Sequence, residues 1–233
     1  MMDYIPPKSA IECYSESLYS DVQIRKMKKT KNIALSCMAG LDGWCSREKA
    51  TILMDLLFLK RPKKVVEIGV WGGKSLLPMA MALNENKRGV IYGIDPWKND
   101  ASAYMLEGEH LDWWTQVDHE RIYEGFISTI QLYHLGDVVE VIRASSKDAK
   151  IIEEIDFLHI DGNHSEASSL SDVKKWVPHV KKGGLIILDD LDYGEELEGG
   201  ATTKKAAEWL DSNCTRFLQF KAEKNEWAVW VKS

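Results

Sequence analysis

Residues 64–75 read Lys-Val-Val-Glu-Ile-Gly-Val-Trp-Gly-Gly-Lys-Ser. The opening Lys64-Val-Val-Glu-Ile68 is a short apolar, β-branched run, the pattern of a strand buried on both faces. Gly69, Gly72 and Gly73 end it, and the spacing then predicts a helix from Ser75 to Leu83. A strand that turns through glycines straight into a helix is the first half of a βαβ unit. Its helix start offers free N–H groups to any ligand that the turn lets approach. The spacing is not the G-x-G-x-x-G of dinucleotide binders. Gly73-Lys74-Ser75 mimics the end of a phosphate-binding loop, but that pattern needs a glycine at position 68, where the chain has Ile68. What remains is E-x-G-x-x-x-G-x-S, with Glu67 one residue inside the strand end, where a carboxylate suits a ligand carrying an ammonium group.

The flanks extend the pattern. Ser46 is placed to cap a helix whose Ala50, Ile52, Leu53, Leu56 and Leu57 recur at helical spacing and which ends before Pro62. Downstream come strands over Val90 to Ile94, Val138 to Ile142 and Ile155 to Ile160, a helix over Ser165 to Val177, and a strand over Leu185 to Leu188. This alternation means parallel strands joined by right-handed crossovers, an α/β doubly wound sheet. The chain closes with a helix near Thr203 to Leu210 and two β-like runs, Phe217 to Phe220 and Trp227 to Val231. Separated by Glu223-Lys224-Asn225, these runs suit an antiparallel hairpin at the sheet edge.

Two segments stand apart. Residues 1–44 are irregular in pattern and read as an N-terminal helical extension, and their Arg25, Lys26, Lys28, Lys29 and Lys31 read as a solvated helix face. They would serve as an arm exchanged between subunits of a homo-oligomer or as a cover on a pocket. Residues 45–233 form the main domain. About 40 residues separate its second and third strands, more than one crossover needs, so an insertion spans about 98–135. Tyr104, Met105, Trp113 and Trp114 lie in its first half, where they pack on the domain or lid a pocket, and Ile122, Tyr123, Phe126, Ile127 and Ile130 follow at helical spacing in its second.

Composition bounds the function. The 233 residues are 45% hydrophobic and 28% charged with a formal charge of −6, a globular composition with no positive field to hold nucleic acid or an anionic membrane. The start, Met1 to Ser20, makes no unbroken apolar run, so the expected location is cytoplasmic. Cys13, Cys37, Cys45 and Cys214 form no C-x-x-C pair and read as reduced thiols.

In a parallel sheet, ligands bind beyond the carboxyl ends of the strands. Asp95 follows the second strand, where an acid accepts hydrogen bonds from ribose hydroxyls, and Trp97 beside it either stacks on a base or packs in the core. Asp161 ends the fourth strand, and Asp189 and Asp190 end the fifth. Three converging carboxylates repel one another, a conflict that a divalent ion removes, and all-oxygen ligation suits a hard ion such as Mg²⁺, with Ca²⁺ and Mn²⁺ as alternatives. His164, three residues past Asp161, is placed to act as a base. Of the other histidines, His159 lies inside a strand and none has such a context.

These residues resemble a class I S-adenosylmethionine-dependent methyltransferase over roughly residues 44–232. The Glu67 to Ser75 loop resembles the first motif of metal-dependent O-methyltransferases of the catechol type. Ile160-Asp161-Gly162-Asn163-His164-Ser165, Gly183-Gly184 and Leu188-Asp189-Asp190 are similar to the macrocin O-methyltransferase and cephalosporin hydroxylase-like group. The resemblance implies a mostly parallel seven-stranded sheet with an antiparallel last strand. It implies that Glu67, Gly69 and Gly73 hold the amino acid part of S-adenosylmethionine, that Asp95 holds its ribose and that Ser145 lies near its adenine. Ser75, Trp97 and Asp161 complete the expected cofactor contacts. Asp161, Asp189 and Asp190 would hold the Mg²⁺, and His164 would take the proton from the hydroxyl of a small-molecule acceptor. The rival readings are a cephalosporin hydroxylase-like protein and a module that binds the cofactor without chemistry.

Overall fold

The computed structural model describes residues 10–98, 116–194, 202–222 and 225–233. The chain runs α1 (Ala10–Leu18), α2 (Asp21–Cys37), α3 (Arg47–Lys60), β1 (Lys64–Ile68), α4 (Leu76–Asn86), β2 (Val90–Ile94), α5 (His119–Leu132) and β3 (Val139–Ile142). It continues through β4 (Ile155–Ile160), α6 (Glu166–Trp176), β5 (Val180–Leu188), α7 (Lys204–Asn213), β6 (Cys214–Ala222) and β7 (Asn225–Lys232). The seven strands form one sheet in the order β3-β2-β1-β4-β5-β7-β6. The first five are parallel, and β7 runs antiparallel to both β5 and β6.

Side chains of a strand alternate between faces, and the core divides accordingly. Val65, Phe157, Ile187 and Val229 point into one layer with Leu53 and Leu57 of α3, Leu77 of α4 and Phe126 of α5. Their neighbours Val66, Leu158, Ile186 and Trp230 point into the other, with Val173 and Trp176 of α6 and Leu210 of α7. Both faces are therefore covered by helices, which is why β1, β4 and β5 read as continuous apolar runs and not as alternating ones.

The doubly wound sheet, its mostly parallel order and the terminal hairpin at the edge are as the sequence predicts. Two particulars differ, the start of the fifth strand and the burial of Lys31. The fifth strand begins at Val180, five residues earlier than its apolar core, because the pairing with β4 jumps from Ile155–Val180 to Phe157–Leu185. Gly183, at φ 73°, lies in that irregular stretch. The N-terminal extension is helical, as expected: Ser20 and Gln23 form a reciprocal cap at the start of α2, and Met27, Ala34 and Cys37 join the same core layer as Leu53 and Leu77. Arg25, Lys26, Lys28 and Lys29 are exposed as expected, but Lys31 is buried and pairs with Asp55 of α3 at 2.6 Å. In the insertion, α5 buries Ile122, Phe126 and Ile130, while Tyr104, Met105, Trp113 and Trp114 lie outside the described residues. Among the described residues, no helix is long and apolar enough to cross a membrane.

Candidate functional site

The register of the sheet lines up the strand ends. Ile94, Ile68, Ile160 and Leu188 are successive partners across β2, β1, β4 and β5. The next residues continue the ladder: Gly69 N–H donates to the Ile94 carbonyl at 3.0 Å, Asp161 N–H to Ile68 at 2.8 Å and Asp189 N–H to Ile160 at 3.0 Å. Asp95, Gly69, Asp161 and Asp189 thus stand side by side, three carboxylates and one gap. At Gly69 (φ 83°) an added Cβ would lie 2.0 Å from the Asp161 carbonyl oxygen, so only glycine permits this crossing.

Asp95 organises the turn beyond Gly69. Its Oδ2 accepts the N–H groups of Val70 and Trp71 at 2.9 and 3.0 Å, and its Oδ1 accepts that of Trp97 at 2.7 Å. Burial raises the Asp95 pKa, and these three donors draw it back. Trp97 is not a free stacking surface. Its ring is 2% exposed, stacks on Phe126 at 5.7 Å and donates its indole N–H to the Trp71 carbonyl, which answers the two sequence readings in favour of core packing. Trp71 holds a left-handed φ of 53°, a strained conformation fixed by its bond to Asp95 and by the edge of its ring contact with His119.

One register row deeper, Glu67 of β1 pairs with His159 of β4. Both are fully buried, and His159 Nδ1 lies 2.9 Å from Glu67 Oε1, which also accepts the Ser75 hydroxyl at 2.5 Å. Burial pushes the Glu67 pKa up to about 8 and the His159 pKa down to about 3, the latter aided by Lys49. Burial thus favours the neutral form of both side chains. Glu67 accepts the Ser75 hydroxyl and so braces the start of α4, and these two residues expected at the cofactor are bonded to each other. Ser145 likewise bonds within its own turn: its hydroxyl donates to Asp148 at 2.7 Å and accepts the Asp148 N–H.

The expected metal triad is divided. Lys49, in the first turn of α3, is 3% exposed; its ammonium contacts the Asp189 carboxylate and lies 3.6 Å from Asp161. The Ser46 hydroxyl accepts the Lys49 N–H at 3.0 Å and sets the helix start that delivers it. Asp189 is turned inward, whereas Asp190, at φ 51°, turns the chain so that its carboxylate meets His164 Nε2 at 3.0 Å. Asp161, His164 and Asp190 each bring a donor atom within 4.8 Å of the others. Burial opposes a charged His164, but the hydrogen-bonded Asp190 carboxylate and Asp161 beyond it outweigh burial, and the imidazole pKa is raised. Tyr193 packs on the His164 ring at 4.9 Å, and Thr202 and Thr203 bond the carbonyls of His164 and Asp190. Asp192 accepts the Glu226 N–H of β7 and takes no part.

Residues 66–191, more than half of the chain, match the model of a methyltransferase domain. The chain belongs to that methyltransferase family. Solved structures share its fold at low identity. An O-methyltransferase from Bacillus cereus in complex with SAH is 17% identical, with 96% of this chain and 98% of that one covered and a TM-score of 0.61. The O-methyltransferase TomG from Streptomyces achromogenes, involved in tomaymycin synthesis and solved with SAM, is 16% identical, with 97% of each chain covered and a TM-score of 0.61. The SAH-bound methyltransferase PaMTH1 of Podospora anserina is 13% identical over 100% of both chains, with a TM-score of 0.58. No curated protein sequence matches.

Within this methyltransferase domain the structure brings together Gly69, Asp95, Asp161, Asp190 and His164 as the sequence groups them. It adds Lys49, His159 and His119. Lys49 had a signal: it stands on the same helical stripe as Ala50, Leu53 and Leu57, and a charge on an apolar stripe needs a partner. His159 had one too, as the lone polar residue of a run that is otherwise apolar from Phe157 to Ile160.

Proposed function

We propose that this chain transfers the methyl group of S-adenosylmethionine to a hydroxyl oxygen of a small molecule. The observation that carries the reading is the glycine turn set between Asp95 and Asp161, with backbone packing at Gly69 too close for any side chain. Acids stand on both sides of this turn at the strand ends, where a ligand with ribose hydroxyls and a positive sulfonium would find acceptors and opposite charge. Membership of the methyltransferase family and the shared fold of SAM- and SAH-bound structures support the same assignment. In this reading Asp95 accepts from the ribose with the lone pairs that the loop leaves free. His164 takes the proton of the acceptor hydroxyl, the oxygen attacks the methyl carbon in line, and the carbon–sulfur bond breaks with its electron pair left on sulfur. Asp190 orients the imidazole and stabilises its charged form.

The donor set bears on a divalent ion. The contact of Lys49 with Asp189 favours an ion held by the other two acids over the three-carboxylate cage read from the sequence. Asp161 and Asp190 would hold such an ion beside His164, which keeps its role as the base. Such an ion would supply Lewis-acid polarisation of the acceptor hydroxyl.

Titration calorimetry with S-adenosylmethionine, S-adenosylhomocysteine and NAD tests the assignment: the first two are expected to bind and NAD not. Binding of NAD alone would overturn it. The pH profile gives a second check. The base form of His164 is the neutral one, and its pKa is raised by Asp190, so turnover is expected to climb with pH through a midpoint above the ordinary imidazole value. Asp190→Asn removes the raising charge and is expected to move that midpoint to lower pH. A midpoint that stays in place would mean another group titrates.

A further inference from the structure

Lys49 is an enclosed cation that the methyl-transfer chemistry described above does not use. Its side chain is 3% exposed, its ammonium contacts one carboxylate of the rim and lies 3.6 Å from a second, and the helix cap at Ser46 fixes where its stem begins. The electrostatic argument for a metal was that Asp161, Asp189 and Asp190 repel one another unless a cation joins them. The chain supplies that cation itself. The Asp189 carboxylate is 3% exposed, and its Oδ1 has no hydrogen-bond partner, so the ion pair with Lys49 is what compensates its burial.

We propose that Lys49 is a positioning residue that neutralises the carboxylate rim from within and holds down its affinity for divalent cations. An ion placed among Asp161, His164 and Asp190 would sit next to an ammonium that cannot swing out to water, since the first turn of α3 anchors it in a buried position. Even at an effective dielectric of about 20, a charge–charge repulsion over a few ångströms exceeds a tenfold change in binding. Lys49 also takes Asp189 out of the donor set. The inference rests on the reading of this rim as the methyl-transfer site, but its measurement does not.

The test is a Mn²⁺ titration followed by electron paramagnetic resonance, on the full chain and on Lys49→Met, Lys49→Gln and Lys49→Arg. The two uncharged variants are expected to bind Mn²⁺ at least about tenfold more tightly than the parent, and Lys49→Arg to stay within about threefold of it. Adding Asp161→Asn to Lys49→Met is expected to remove the gain. Binding of S-adenosylhomocysteine, measured in parallel, reports whether each variant keeps its fold, and Lys49→Gln, which keeps a polar donor, serves if Lys49→Met does not. Uncharged variants that bind Mn²⁺ no better than the parent, or a gain that survives Asp161→Asn, would overturn the proposal. A parent chain that binds no S-adenosylhomocysteine would instead overturn the methyl-transfer reading, and the Mn²⁺ series would still decide the role of Lys49.

Discussion

His164→Ala is expected to lower turnover by about 10²–10⁴-fold, the range for loss of a positioned general base. S-adenosylhomocysteine affinity should stay within a few-fold of the parent. The imidazole is placed for this by its own loop: Asn163 Oδ1 accepts the Ser165 N–H at 2.9 Å, and Ser165 caps α6. His164 is thus held at the mouth of the strand ends while Asp190 fixes one ring nitrogen. Removing the ring leaves the glycine turn and Asp95 untouched, so binding and chemistry should separate. Steady-state kinetics beside calorimetry distinguishes the cases, and unchanged turnover would take His164 out of the mechanism.

Gly69→Ala is expected to cost about 2–6 kcal/mol of stability and to abolish S-adenosylhomocysteine binding. The lower end is the strain of a side chain at positive φ, and the upper adds overpacking. The overlap is with backbone, at 2.0 Å from the Asp161 carbonyl oxygen and 2.8 Å from Gly162 Cα. Relief requires β1 and β4 to separate where Asp161 leaves the sheet. Gly125→Ala is the matched control. Gly125 lies exposed within α5, with nothing within 4 Å of an added Cβ, and the change should stabilise the chain by about 0.5–1 kcal/mol. Denaturant melts of the two variants check both signs.

What the sequence reveals follows from how each feature is encoded. Strands β1, β2 and β4 are written in consecutive residues, so their apolar runs mark them directly, and the acids that follow β2 and β4 mark the ligand end. The pairing of Lys49 with Asp189 joins residues far apart in the chain. It depends on where α3 lies against β5, which no local pattern states. Trp97 was ambiguous for a related reason: an indole that stacks on a ligand and one that stacks on Phe126 occupy the same place in a sequence. The early start of β5 was hidden because Gly183 and Gly184 look like a break, whereas the sheet absorbs them as a slip in register.

The buried pair of Lys31 and Asp55 has a consequence for anyone who wishes to excise the family-matched half of the chain. Trimming ahead of residue 45 would strip Asp55, 1% exposed, of the ammonium 2.6 Å away. It would also uncover the helix that delivers Lys49. The change of texture near residue 44 is a frontier in the writing and not a seam in the object.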